Sequence, residues 1–228
     1  MDRRSRKGKD TRMEGDSRSE EVEVWLGALD DLELPDDGLF SAAELARADA
    51  LATPLLRHRF LARRWMVREL LRDASRGEPG AGSERLWWST SNSGGLAAVA
   101  VAGNRVGIDI ERSDRGRRRW QGIARRFYTE AEHQVVAESP ARFLELWTMK
   151  EAYLKALGVG LAGGLRSLDC ARLSVPNSDG WRTSPEHPGW RFAQLRPESG
   201  CVGAIAIEGE PGTLAVRRWI PETADKRR

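Results

Sequence analysis

The hexapeptide Val106-Gly-Ile-Asp-Ile-Glu111 alternates apolar and acidic side chains, a pattern that predicts a β-strand with two different faces. The alternation places Val106, Ile108 and Ile110 on one face, and Asp109 with Glu111 on the other. The strand rise separates the two acidic backbone positions by about 6.5 Å, so their carboxylates can share a small, hard cation. Magnesium suits such a pair, because it binds carboxylates and takes further ligands from phosphate groups. The competing interpretation is the polar outer face of an edge strand.

Upstream of this strand, the sequence predicts a second strand and two helices. Leu96 to Val101 is apolar, and its link to Val106 through Ala102-Gly-Asn-Arg105 predicts a β-hairpin. The pattern Ser41-Ala-Ala-Glu44 is a capping box that opens a helix. Thr53-Pro54 predicts a second helix start, which is followed by apolar residues at mostly helical spacing.

Downstream, helices precede strands again. Short helices are predicted over Gln121 to Tyr128 and Glu130 to Ala137, and a longer one over Phe143 to Leu157, with Gly158 as its C-cap. Short strands are predicted at Leu168–Val175, Trp190–Leu195, Val202–Ile207 and Leu214–Trp219. Helices followed by strands in both halves predict an α+β, sandwich-like fold with a pseudo-two-fold arrangement of two similar subdomains. The expected division is a disordered basic tail at 1–20, an N-terminal subdomain at 21–104 and a C-terminal subdomain at 105–228.

The helix over Phe143 to Leu157 adds charged residues to the acidic strand. Trp147, Glu151 and Lys155 follow one another at i, i+4 and i+8, so they form one stripe. A surface ion pair between Glu151 and Lys155 would contribute only about 0.3 to 0.5 kcal/mol. Alternatively, Glu151 is a third metal carboxylate and Lys155 is a cation that binds phosphate.

Composition narrows the class of protein. The chain has 228 residues, 40% hydrophobic and 31% charged, with a net charge of +3, as expected of a soluble globular protein. The apolar runs are too short to cross a membrane and the N-terminus lacks an apolar signal segment, so we expect a cytoplasmic protein. Cys170 and Cys201 are expected to be free thiols. The cluster Arg115 to Arg119 is either a docking surface for an acidic partner or a solvated loop.

Several of these segments together resemble one family. The segments are Val106–Glu111, Arg126-Phe-Tyr128 with Glu132, Trp147-Thr-Met-Lys-Glu-Ala-Tyr-Leu-Lys155 and Gly158–Leu161. In order, spacing and identity they resemble the surfactin-type (Sfp-like) 4'-phosphopantetheinyl transferases. The resemblance implies the fold of that family and a magnesium-dependent enzyme. Its expected reaction moves 4'-phosphopantetheine from coenzyme A to a serine of an apo acyl, polyketide or peptidyl carrier protein, releasing 3',5'-ADP. Secondary metabolite biosynthesis and a monomeric state are also implied.

The resemblance also implies roles for individual residues. The expected ligands of Mg²⁺ are Asp109, Glu111 and Glu151. The expected catalytic residues are Glu132, Glu151 and Lys155, with Glu132 or Glu151 accepting the proton of the carrier serine. The expected contacts of coenzyme A are Arg47, Arg59, Ser91, Asn92, Asp109, Lys150 and Lys155.

Two departures from the family pattern concern coenzyme A. Ser91-Asn92-Ser93 stands where the family has Ser-His-Ser, and Asn92 cannot carry charge. Gly77-Glu-Pro79 stands where the family has Gly-Lys-Pro. Compensation is open to three nearby arginines, Arg63, Arg64 and Arg85. The departures motivate one alternative, a catalytically impaired relative that binds carrier proteins. The basic termini, the arginine cluster and nine tryptophans motivate another, a nucleic-acid-binding protein. A net charge of only +3 and the lack of a binding motif argue against nucleic acid.

Overall fold

The computed structural model of the protein describes residues 21–74, 86–114, 120–136, 139–160 and 164–221. Three predicted features therefore lie outside the described residues: the tail 1–20, the arginine cluster 115–119 and the segment 77–79. The helices are α1 (Ala42–Asp49), α2 (Pro54–Ala74), α3 (Trp120–Phe127), α4 (Glu130–Val136) and α5 (Pro140–Leu157). The strands are β1 (Val22–Ala28), β2 (Trp87–Ser93), β3 (Leu96–Ala102), β4 (Val106–Arg112), β5 (Arg182–Thr183), β6 (Trp190–Leu195), β7 (Cys201–Glu208) and β8 (Leu214–Arg218).

The strands form two sheets of four strands each, in the orders β2-β3-β1-β8 and β4-β7-β6-β5. All neighbouring strands are antiparallel except β1 and β8, which are parallel. β8 lies within the segment 105–228 that was predicted as one subdomain, yet it pairs with β1 of the first sheet. The last described strand, β8, is thus an edge strand of the first sheet.

The sheets face each other and each carries a long helix on its outer side. The core between them contains Val24 and Ala98 from the first sheet, and Ile108 and Ile205 from the second. α2 packs on the other side of the first sheet, where Met66 belongs to the same apolar cluster as β3 residues. α5 packs on the other side of the second sheet against β4, β6 and β7. This arrangement of helices and sheets confirms the predicted α+β class.

The predicted hairpin between the strand that begins at Leu96, now β3, and the acidic strand, now β4, is wrong. β3 lies between β1 and β2, so partners already occupy both of its edges. The hairpin is instead formed by β2 and β3 around Gly94, which has a φ of 61°. A strand was also predicted over Leu168 to Val175, where the structure has a short 3-10 turn and irregular backbone.

β2 and β4 belong to different sheets but lie side by side and run in the same direction. They are joined by side chains of β2, which accept the hydrogen bonds of alternate β4 amides. The N–H groups of Ile108, Ile110 and Arg112 donate to the Oγ atoms of Ser89, Ser91 and Ser93 respectively, over 3.2, 3.3 and 3.0 Å. We call these three serines the serine ladder; all three are buried.

The helix ends follow the predicted local signals. Ser41 and Glu44 form the full capping box of α1. Thr53 accepts a hydrogen bond from the Leu56 amide at the start of α2. Gly158 ends α5 in the left-handed conformation with a φ of 72°, as a C-terminal glycine should. Both cysteines are free thiols, as predicted. No helix in the described ranges combines the length and apolar character needed to span a bilayer.

Candidate active site

The approach of α5 to β4 depends on a glycine. A Cβ atom on Gly107 would lie 1.9 Å from the carbonyl oxygen of Ala152 and 2.6 Å from the amide nitrogen of Ala156. Both atoms belong to the backbone of α5, so no side-chain rotation could relieve the clash. The missing side chain therefore lets the helix lie directly on the strand, and it brings Glu151 and Lys155 to the face that carries the acidic residues.

Asp109 is at the centre of that face and is only 6% exposed. Its Oδ1 atom accepts hydrogen bonds from Ser91 Oγ at 2.8 Å and from Lys155 Nζ at 2.7 Å. Its Oδ2 atom is buried and has no hydrogen-bond partner among the described residues. Burial raises the pKa of Asp109 above its usual value, while the Lys155 ammonium opposes the rise. An unpartnered carboxylate oxygen in such a place is costly unless a ligand or cation satisfies it.

Two more carboxylates accompany Asp109. Glu111 is partly exposed, and its Oε2 atom accepts a hydrogen bond of 2.7 Å from Ser93 Oγ. Glu151 is partly buried on α5, and its pKa is raised, first by burial and then by the negative charge of Asp109, with a smaller contribution from Glu111. The positive charge of Lys155 opposes this rise in the Glu151 pKa. The Lys155 ammonium also donates a hydrogen bond of 3.0 Å to the Ile108 carbonyl oxygen. The predicted metal ligands and the predicted phosphate lysine are thus brought to one face.

Asp109, Glu111 and Glu151 share one face, but their side chains do not converge on a single point. Within the described ranges, no group of three or more His, Cys, Asp or Glu side chains stands close enough to hold a metal ion. The donor chemistry nevertheless fits Mg²⁺, which accepts a few carboxylate oxygens and completes its shell with water and phosphate. The unpartnered Oδ2 atom of Asp109 is the structural feature that calls for such a ligand.

Glu132 and Lys150 lie in different surroundings from those predicted. Their side chains form a salt bridge of 2.8 Å and both have zero exposure. Glu132 also accepts hydrogen bonds from the amides of Thr129 and Cys170, at 2.8 and 2.7 Å. Lys150 donates to two backbone carbonyls of the segment after α5, at Leu165 and Leu168. Both side chains are enclosed by protein, and their contacts tie α4, α5 and that segment together. The catalytic role of Glu132 and the contact of Lys150 with coenzyme A stay predictions, and either would require the substrate to reach this enclosed pair.

Ser91, a predicted contact of coenzyme A, is buried. Its hydroxyl is buried between the Ile110 amide and Asp109, and both of those hydrogen bonds are made within the protein. Asn92, the next residue, is exposed and lines a cleft. The alternation of β2 thus separates the two residues, with the serine facing β4 and the asparagine facing the cleft.

The cleft has a volume of about 570 Å³ and is lined by apolar residues, three arginines, one asparagine and one aspartate. The polar lining residues are Arg59, Arg63, Asn92, Arg112 and Asp114, of which Arg112 and Asp114 form an ion pair of 3.5 Å. It adjoins the acidic face, because Asn92 stands between two serines of the ladder and Arg112 directly follows Glu111. Arg59 is paired with Asp30 through two hydrogen bonds of 2.6 Å.

Arg63 is the cleft residue best suited to bind a phosphate group. It has no carboxylate partner in the part of the chain that the structure describes, whereas Arg64 pairs with Glu44 at 2.8 Å. Arg47, Arg63 and Arg64 all place their guanidinium groups 5.8 to 6.0 Å from the ring centre of Phe60. Burial lowers the pKa of Arg63, and the charges of Arg64 and Arg47 lower it further. Sequence reasoning named Arg63 as a possible substitute for the missing histidine without favouring it; Arg85 lies outside the described residues.

Comparison with known proteins agrees with this geometry. The sequence model of the 4'-phosphopantetheinyl transferase superfamily matches residues 105–205. The 4'-phosphopantetheinyl transferase HetI of Nostoc sp. (strain PCC 7120) is 33% identical over 217 residues, which cover 84% of this chain and 89% of HetI. The 4'-phosphopantetheinyl transferase psf-1 of Bacillus pumilus is 38% identical over 107 residues, covering 44% of this chain and 43% of that protein.

Solved structures were also matched, and one of them was determined with coenzyme A bound. The holo-[acyl-carrier-protein] synthase of Helicobacter pylori, solved in complex with coenzyme A, aligns with 46% of this chain and 99% of its own. The sequence identity is 17% and the TM-score is 0.34, a likeness too low to support a conclusion about the fold.

Proposed function

The chain belongs to the 4'-phosphopantetheinyl transferase superfamily, and from this premise we propose that it transfers 4'-phosphopantetheine from coenzyme A to a serine of an apo carrier protein. The observation that carries the proposal is the acidic face of β4 beside a basic cleft. Asp109 is buried there with one unpartnered oxygen, and Glu111, Glu151 and Lys155 accompany it. Acidic ligands for a cation next to arginines for phosphates are what a transferase of a phosphorylated cofactor needs.

Asp109, Glu111 and Glu151 are the proposed holders of Mg²⁺. When bound, the ion supplies positive charge that grips the pyrophosphate of coenzyme A. Asp109 contributes through Oδ2, since Oδ1 is already held by Ser91 and Lys155.

The remaining steps are assigned to side chains. The ammonium of Lys155 lies at the acidic face and neutralises charge that develops on the leaving group. The hydroxyl oxygen of the carrier serine attacks the β-phosphorus of coenzyme A, the bond from that phosphorus to the bridging oxygen breaks, and 3',5'-ADP leaves. Arg63 binds a phosphate of coenzyme A in the cleft, in place of the charge that Asn92 lacks.

The serine proton has to be accepted by a group that the substrate can reach. Glu132 is fully enclosed with Lys150, whereas Glu151 is partly exposed on the acidic face. We therefore assign proton acceptance to Glu151 rather than to Glu132.

The test incubates the purified protein with coenzyme A, Mg²⁺ and a panel of apo acyl, polyketide and peptidyl carrier proteins. A mass gain of one phosphopantetheine on at least one carrier is expected, and the Asp109→Asn variant should lose nearly all of it. A characterised transferase acting on the same panel shows that the carriers are competent. If that control modifies them and this protein modifies none, the proposed function is wrong.

Three finer features complete the proposal. Dependence on Mg²⁺ is supported by the acidic face, a cytoplasmic location is expected from the sequence, and a monomeric state with service to secondary metabolite biosynthesis is implied by the family resemblance. The docking of acidic carrier proteins on 115–119 also stays a prediction, because that segment lies outside the described residues. A Michaelis constant for carrier protein that does not change with salt would contradict it.

A further inference from the structure

The serine ladder does more than join two strands. At Ser91 and Ser93 the same hydroxyl that accepts a β4 amide also donates to an acidic side chain. Ser91 donates to Asp109 over 2.8 Å, and Ser93 donates to Glu111 over 2.7 Å. Ser89 accepts its β4 amide in the same way, but the β4 residue facing it at the equivalent position is a glycine with no side chain. The ladder therefore contains two rungs that touch the acidic face and one that does not.

The direction of each hydroxyl is fixed by chemistry. A serine hydroxyl has one proton to donate, and a lone pair occupied by a backbone N–H restricts where that proton can point. Ser91 and Ser93 are buried, so the carboxylates are the acceptors that the surroundings provide. One oxygen of Asp109 is thereby held, and the other, Oδ2, is left without a partner among the described residues.

The two sheets meet at these rungs. β2 belongs to the first sheet and β4 to the second, and the amides that reach β2 alternate with the acidic residues along β4. A shift of β2 relative to β4 would break an amide hydrogen bond and release a carboxylate at the same rung. Correct docking of the sheets and correct orientation of the acidic residues are thus the same structural event.

We propose that Ser91 and Ser93 are positioning residues for the cation site: their hydroxyls orient Asp109 and Glu111, and so couple the assembly of the two sheets to metal binding. The inference rests on the proposed function, because it takes these carboxylates as the metal ligands. Groups that hydrogen-bond to metal ligands commonly change metal affinity by about 10- to 100-fold when they are removed.

The experiment compares Ser91→Ala and Ser93→Ala with Ser89→Ala as a matched control. Each substitution removes one acceptor for a β4 amide, but only the first two remove a donor to a carboxylate. Binding of Mn²⁺ to the full chain in the presence of coenzyme A is followed by electron paramagnetic resonance of the free ion. Thermal unfolding is measured without metal on the same samples. Replacement of either serine by cysteine, which has the same shape with a larger atom and donates only weakly, serves if an alanine variant does not fold.

The expected result is a dissociation constant for Mn²⁺ about 10-fold higher in the Ser91 and Ser93 variants, and changed less than about 2-fold in Ser89→Ala. The three variants should lose similar thermal stability. Equal weakening by Ser89→Ala would assign the ladder to structure alone, and normal Mn²⁺ binding by all three would overturn the proposal. If the wild type transfers phosphopantetheine but the variants bind Mn²⁺ normally, only this inference fails. If the wild type neither binds Mn²⁺ nor modifies any carrier, the proposed function fails with it.

Discussion

Replacing Gly107 with alanine is expected to damage the acidic face without touching any charged group. The added Cβ would lie 1.9 Å from the Ala152 carbonyl oxygen, where an ordinary contact is 3.4 Å or more. The helix α5 must therefore move away from β4 by more than about 1 Å, and it carries Glu151 and Lys155 with it. A misplacement of that size costs about 100-fold in rate when it affects groups that orient the reactants. Overpacking of the interface should also lower the free energy of unfolding by about 1 to 3 kcal/mol.

The assay measures the turnover number with a saturating carrier protein, together with unfolding by urea. Gly122→Ala is the matched control, because a Cβ at Gly122 in α3 would meet no atom within 4 Å. Alanine at a helical position is about 1 kcal/mol more favourable than glycine, so this control should be neutral or slightly stabilising. Wild-type turnover and stability in Gly107→Ala would refute the conclusion that close contact between α5 and β4 places the charged groups.

Three further predictions concern charges at other places. Arg63→Ala should raise the Michaelis constant for coenzyme A about 10- to 100-fold, as expected for the loss of one charged phosphate contact. Arg64→Ala should lower the free energy of unfolding but leave that Michaelis constant unchanged. An equal rise of the constant in both variants would contradict the assignment of Arg63 to a phosphate. Lys150→Met should lower the free energy of unfolding, measured in urea, by about 3 to 5 kcal/mol, because it leaves the buried Glu132 carboxylate without its partner. Adding Glu132→Gln to the same chain should restore part of that loss. An unchanged free energy of unfolding in Lys150→Met would show that the pair is not buried in solution. Burial raises the pKa of Glu44, but hydrogen bonds from the Ser41 amide and Arg68 outweigh this effect and hold the pKa at about 2, below its usual 4.5. The stability that wild type gains over Glu44→Gln should therefore be complete above about pH 4.5 and fade as the pH falls towards 2, and a melting-temperature difference independent of pH would argue against it.

Local sequence patterns predicted the parts of the structure that depend on neighbouring residues. The alternation in β4 placed Asp109 and Glu111 on one face, and the spacing in α5 placed Glu151 and Lys155 on one stripe. The same kind of alternation in Val22 to Ala28 would have indicated β1, which was not predicted. These features follow from the periods of strands and helices, and they require no knowledge of the rest of the fold.

Features that depend on strand order were not accessible in this way. A turn signal after β3 indicates that the chain reverses, but it does not say which strand becomes the neighbour. The predicted hairpin failed for that reason, and the joining of β2 to β4 by serines depends on the same unknown order. The burial of Glu132 and Lys150 likewise depends on the segment after α5 folding back over them. Family resemblance gave these two residues roles at the substrate, whereas only the packing shows that they face each other.

The acidic face carries more negative than positive charge. Three carboxylates stand there, and Lys155 is the ammonium that offsets them, which leaves two formal negative charges. Burial raises the pKa of Asp109, and burial together with the neighbouring carboxylates raises the pKa of Glu151, so the charged forms of both are disfavoured. A divalent cation would cancel the excess and satisfy the free oxygen of Asp109 at once. Coenzyme A would then add phosphates, whose negative charge the cleft arginines can meet. The excess negative charge is therefore unfavourable until a cation binds, and Ser91 and Ser93 hold Asp109 and Glu111 in position before it does.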